Sequence, residues 1–216
     1  GIGKHLAVDL AHEGYMVFAT VRKDADLHSF PSSTLLHPLR MDVTDVTSIA
    51  TAHRSIAALL HTSNRSLIGL VNNAGVVHIA PVEHIDLQKM REVLEVNLIG
   101  VVAVTQTFIP LLRETPGSRI INIGSMAGFF APLFYGAYSA SKFALEGLSD
   151  CLRAELTPQY IAVSLIQAGV IKDTKIREKN SGPNSVLASL PADARIRYGY
   201  STISTSASSS SSSSTS

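Results

Sequence analysis

Short apolar runs alternating with amphipathic helical stripes constrain this chain more than any other feature. Ile2, Leu6, Leu10 and Ala11 recur at helical spacing, and Gly14 stands where a residue without a Cβ closes a helix. Residues 15–21 and 35–41 then read as buried strands. Thr44 or Asp45 caps a helix over 45–60, in which Ile49, Ala52, Ile56 and Leu60 form one stripe. Three further strands are predicted over 67–71, 119–123 and 162–166, and helices over 87–94, 98–112 and 138–159. Strands that alternate with helices imply crossover connections covering both faces of a parallel sheet, so the expected fold is doubly wound α/β.

Composition bounds the rest. The 216 residues carry 18 Lys+Arg against 17 Asp+Glu, a balance that argues against nucleic acid as the main partner. The single cysteine, Cys151, excludes an intramolecular disulfide and fits a reducing, cytoplasmic compartment. The apolar run around Val96 to Val104 is interrupted by Asn97 and is shorter than the roughly 18 residues of a membrane span, so no transmembrane segment is expected. Residues 201–216 are Ser or Thr except Ile203 and Ala207; with nothing to bury they are expected to form a disordered tail, leaving one domain over 1–200. The eight histidines show no metal-ligand spacing, and no metal site is expected.

In open parallel sheets, ligands bind beyond the carboxyl ends of the strands. Asn72-Asn73-Ala74-Gly75 follows one predicted strand, and Gly124-Ser125 follows another. Tyr138 and Lys142 stand four residues apart on a predicted helix and so share one face. A free phenol loses its proton near pH 10, roughly three units too high for a base at neutral pH. A cation a few ångström away in a partly dry site favours the phenolate by about that much. Taken alone, Tyr-x-x-x-Lys is equally an ordinary aromatic and a solvated lysine, and Ser125 alone fits a turn or helix cap.

Taken together, Gly1-Ile2-Gly3 at the first helix, Asn72 to Gly75, Asn97, Ser125 and Tyr138-x-x-x-Lys142 resemble the short-chain dehydrogenase/reductase family, in its hydroxysteroid/retinol dehydrogenase-like branch. The resemblance implies a Rossmann-like sheet. It makes Tyr138 the general acid/base and Lys142 the group that lowers its pKa and binds the nicotinamide ribose. Ser125 becomes the donor to the substrate oxygen, and Asn97 the holder of a relay water. It also implies dinucleotide contacts from Gly1, Ile2 and Gly3 at the pyrophosphate, Asp42 and Val43 at adenine, and Asn73, Ala74 and Gly75 beside them. Gly169, Ile171 and Thr174 are expected at the nicotinamide, with Ala168 standing where the family has proline. The family's first glycine and first strand would precede Gly1, between the 15–21 and 67–71 strands, so the chain reads as truncated at both ends.

Cofactor choice follows from charge. A carboxylate at the end of the second family strand accepts the ribose 2′-hydroxyl of NAD and repels a 2′-phosphate. Here Val21 is followed by Arg22 and Lys23, which favours NADP(H) over NAD(H). The apolar stretch between Ser125 and Tyr138 suits either the wall of a cleft for an apolar alcohol or ketone, or core and subunit contacts. The resemblance further implies a homodimer or homotetramer through the Leu98 and Tyr138 helices. A non-catalytic dehydrogenase-like fragment and an NADP(H)-binding regulator would carry the same motifs; turnover of ketones separates them from an enzyme.

Overall fold

The computed structural model describes residues 1–169 and 183–198. The predicted tail, Ile171 and Thr174 lie outside the described residues. Helix α1 (Ile2–His12) leads into strand β1 (Val17–Val21), and β2 (Leu36–Arg40) follows after a short 3-10 turn. Helix α2 (Val46–Thr62) precedes β3 (Gly69–Asn72), then come α3 (Leu87–Leu94) and α4 (Gly100–Arg113). Strand β4 (Arg119–Ile123), α5 (Gly136–Leu156) and β5 (Ala162–Ile166) complete the alternation; α6 (Pro183–Ser189) and α7 (Ala192–Arg197) follow.

Local chemistry explains the boundaries. Asp45 caps α2, its carboxylate accepting from the N–H groups of Thr47 (2.8 Å) and Ser48 (3.2 Å). Gly14 follows α1 at φ +90°, a left-handed geometry that costs glycine little. The predicted stripe of α2 is its buried face: Ile49, Ala52, Ile56 and Leu60 pack with Val104 and Phe108 of α4. A π turn over Glu95–Ile99 joins α3 to α4 and turns Asn97 inward.

The continuous helix Leu87–Arg113 is long and apolar enough to cross a membrane by length and composition, which the interrupted apolar run did not suggest. In the fold 39% of its most apolar stretch is buried. Val101, Val104, Thr105, Phe108 and Leu112 are buried along it.

All pairing is parallel, but the sheet is in two pieces. β1 pairs with β2, and β4 lies between β3 and β5. The edges of β1 and β3 that have no strand partner among the described residues face one cleft of about 2010 Å³, lined along its length by Val17 to Val21 and by Leu67 to Asn72. Apolar side chains of α1 and α4, among them Ile2, Leu6, Leu10, Val101, Val104 and Phe108, close it from the two helix layers.

A buried polar chain fixes the other piece. Asn72 Nδ2 donates to Thr105 Oγ1 (3.0 Å) and to Asn122 Oδ1 (2.9 Å); Asn122 Nδ2 donates to Ser149 Oγ (2.9 Å). Ser149 in turn donates to the Leu145 carbonyl at 2.7 Å. β3, β4, α4 and α5 are thus held in one register by groups that water does not reach. Asn122→Ala is expected to lower stability by about 2 kcal/mol, the cost of leaving buried amide and hydroxyl groups underpaired. An unchanged urea midpoint would contradict that.

Candidate functional site

The carboxyl ends of β3 and β4, the start of α1 and one face of α5 meet at the mouth of the cleft. Gly1, Ile2, Gly3, Asn73, Ala74, Gly75, Ser125, Tyr138, Lys142 and Gly169 all line it, and Arg22 and Val43 border the same space. Sequence separation hides this convergence. The expected site residues within the described part line this cleft, except that Lys23 and Asp42, just after β1 and β2, and the fully buried Asn97 are not part of its lining.

Ser125 leaves β4 extended and caps the following turn, accepting from the Ala127 N–H at 3.2 Å. Its hydroxyl is near enough to the Tyr138 side chain to favour the phenolate. Tyr138 sits in the first turns of α5, 9% exposed. Lys142, one turn on, is 4% exposed, with Nζ donating to the Ile123 carbonyl at 2.7 Å.

The electrostatics differ from the sequence expectation. Lys142 Nζ lies 5.8 Å from the centroid of the Tyr138 ring and is turned to the backbone of β4. Burial therefore dominates Tyr138 and raises its pKa above the ordinary phenol value, with the nearby Ser125 hydroxyl opposing. Burial also pushes Lys142 down to about 8. In this arrangement Ser125, not Lys142, is the group that favours the phenolate.

Asn97 is fully buried. Its Oδ1 accepts from the Val76 N–H (2.8 Å), while Nδ2 donates to the Val76 carbonyl (2.9 Å) and to Ser141 Oγ (3.0 Å). Ser141 donates onward to the Tyr138 carbonyl at 2.6 Å. The Asn97 side chain thus ties the loop after β3 to the backbone of α5. Only the fold shows the place of Ser141 between Asn97 and Tyr138.

The residues present fit a dinucleotide. No side chain caps α1, so its first-turn N–H groups open on the cleft beside Gly1 and Gly3, as an anion requires. A Cβ on Gly3 would lie 2.4 Å from Asn73 Nδ2, so glycine is what lets α1 approach the loop after β3. Gly100 plays the same part for α4, where a Cβ would meet the Val43 carbonyl at 2.9 Å. Asp42 is anchored by the Thr44 N–H (3.0 Å) and hydroxyl (2.8 Å), and these bonds, with Arg22 and Arg40 nearby, hold its carboxyl below the usual range. Arg22 and Lys23 are exposed immediately after β1, and the neighbouring carboxylate, Asp24, pairs with Arg40 at 3.6 Å. Among the described residues no cluster of metal-ligating side chains occurs.

Comparison with known proteins agrees with this geometry. Residues 1–184 match the short chain dehydrogenase family. The chain is 38% identical over 176 residues to mitochondrial D-beta-hydroxybutyrate dehydrogenase of Bos taurus, covering 78% of this chain and 51% of that protein. It is 34% identical over 200 residues to an NADPH-dependent 1-acyldihydroxyacetone phosphate reductase of Schizosaccharomyces pombe, covering 93% of this chain and 65% of that one. The chain spans about half the length of the bovine relative. The crystal structure of sorbitol-6-phosphate 2-dehydrogenase from Erwinia amylovora superimposes with a TM-score of 0.74 at 25% identity, covering 87% of this chain and 72% of that chain.

Proposed function

The chain belongs to the short-chain dehydrogenase family, and on that premise we propose an oxidoreductase that uses NADP(H) to interconvert an apolar secondary alcohol and its ketone. The observation that carries this reading is that Ser125, Tyr138 and the buried Lys142 one turn along all line the cleft that also holds the Gly1–Gly3 turn. The nicotinamide supplies or accepts the hydride when bound. Gly1, Ile2 and Gly3 would hold the pyrophosphate, Asp42 and Val43 would border adenine, and Asn73, Ala74, Gly75 and Gly169 would bound the rest.

Ser125 orients the substrate oxygen by donating to it, and Tyr138 gives that oxygen a proton in reduction or removes one in oxidation. Lys142 would hold the nicotinamide ribose, and on leaving the Ile123 carbonyl it would bring its charge to bear on Tyr138. Asn97 holds α5 in place through Ser141. The side chains of Phe130, Pro132 and Tyr135 on the cleft wall favour an apolar substrate.

NADP(H) is supported by Arg22 and Lys23, exposed where a 2′-phosphate would sit, and by the NADPH-dependent relative. Oxidation of NADPH and NADH is to be followed with apolar ketones at equal concentration. NADPH is expected to be preferred about tenfold or more, and Arg22→Ala is expected to remove most of that preference, since a forked guanidinium–phosphate contact is what separates the cofactors. Equal use of both cofactors by the unsubstituted chain would sink the NADP(H) assignment, and turnover with no ketone would sink the reading as an enzyme of this substrate class.

A further inference from the structure

We propose that Glu83 is a positioning residue, a latch that holds the α6–α7 segment against the wall of the substrate cleft beside Tyr138; the inference rests on the reading of that cleft given above. Glu83 lies in the short 3-10 turn Val82–His84, which is seated against the start of α5. The Ala80 N–H donates to the Phe134 carbonyl at 2.9 Å, and a Cβ on Gly136 would stand 2.7 Å from Val82. The turn is therefore fixed to the element that carries Tyr138.

From there the Glu83 carboxylate takes two donors from the end of α7. Arg197 Nη2 reaches Oε1 at 3.2 Å, and the Tyr198 hydroxyl reaches Oε2 at 2.9 Å. Arg197 is oriented by Asp193 at 2.8 Å, and the Tyr198 ring stands edge-on to Phe134 at 5.6 Å. These contacts join positions 114 and 115 residues apart.

What the latch holds is the other side of the cleft wall. Leu187 is buried in a cluster with Ile79, Ala127, Phe134, Tyr135 and Tyr138, and Val77, Val186, Leu190 and Tyr198 pack on it. Val77, Ala127, Tyr135 and Tyr138 also line the cleft, so one apolar layer has the substrate space on one side and α6 on the other. Loosening α6 removes the support behind the side chains that an apolar substrate would touch. The chemistry at the reacting atoms, set by Ser125 and Tyr138, would be untouched.

The test combines kinetics with amide hydrogen exchange on Glu83→Ala, Glu83→Gln, Tyr198→Phe and the double variant E83Q/Y198F, in the NADPH-dependent reduction of an apolar ketone. Glu83→Ala is expected to raise KM about tenfold with kcat within about twofold, the signature of lost substrate binding rather than lost transition-state contacts. Exchange over 183–198 is expected to quicken in parallel. The two milder variants should be less than additive when combined, because they remove opposite ends of one contact. Salt should raise KM for the unsubstituted chain but not for Glu83→Gln, since a half-exposed ion pair is screened.

Unchanged exchange over 183–198 in Glu83→Ala would overturn the latch, as would faster exchange with an unchanged KM, or a fall in kcat with KM constant. If the unsubstituted chain reduces no ketone, the oxidoreductase reading fails on its own, and the exchange data still decide whether Glu83 holds α6–α7.

Discussion

Tyr138→Phe is expected to lower ketone reduction by about a thousandfold or more, the scale on which a positioned proton donor acts. NADPH affinity should stay within about twofold, because the ring and its packing survive the change. The ring lies edge-on to Tyr135 at 6.3 Å, and the variant removes only the hydroxyl beside Ser125. NADPH oxidation and fluorescence titration of NADPH measure the two quantities separately. Retention of normal turnover would show that another group moves the proton.

The pH dependence has a definite sign. Tyr138 titrates above the ordinary phenol value, so it remains protonated and able to donate across the neutral range. Reduction should therefore be flat there. Oxidation, which needs the phenolate, should climb as pH rises. Lys142 keeps its charge only below about 8, so any assistance it gives to the phenolate weakens above that value. A reduction rate that rose with pH through neutrality would contradict this order of ionisation.

How much of this could be read in the chain depends on how local the signal is. The strands Arg119–Ile123 and Ala162–Ile166 match their predicted bounds because continuous apolar runs mark them. β1 starts later than its apolar run because the Tyr15 N–H closes α1 by donating to the Leu10 carbonyl at 3.1 Å. The Leu98 helix begins at Gly100 because the π turn inserts one residue, which no periodicity argument anticipates. The candidate site residues are legible as an ordered set of residue types.

Their partners are not. The Ile123 carbonyl meets Lys142 across 19 positions, and Asn122 meets Ser149 across 27. Such pairs exist only once strands and helices are stacked, and a backbone carbonyl carries no sequence signal at all. That is why Lys142 was expected on the phenol oxygen and is found on β4.

The largest stability effect expected for this chain comes from the divided sheet. Among the described residues β1 and β3 each lack a partner on the side facing the cleft, although both present apolar neighbours. Gly1 lies at the carboxyl mouth of that cleft, and Thr115 to Arg119 line its opposite end. An extended segment of about six residues joined ahead of Gly1 would traverse the gap in the same direction as both edges, at about 3.3 Å per residue. Each buried apolar side chain contributes about 1.5–3 kcal/mol, against about 1–2 kcal/mol for ordering its backbone. Pairing on both edges adds to the favourable side. Fusing a Val- and Ile-rich segment is therefore expected to raise Tm by about 10 °C, given about 2–4 °C per kcal/mol at this size. Amides of Val17–Val21 and Gly69–Asn72 should gain exchange protection together. The same segment with proline at its centre removes a ladder donor from the middle of the sheet and should give little gain. Equal Tm for the apolar and proline-containing fusions would mean that the cleft does not accept a strand, and that the facing edges of β1 and β3 are matched in direction only.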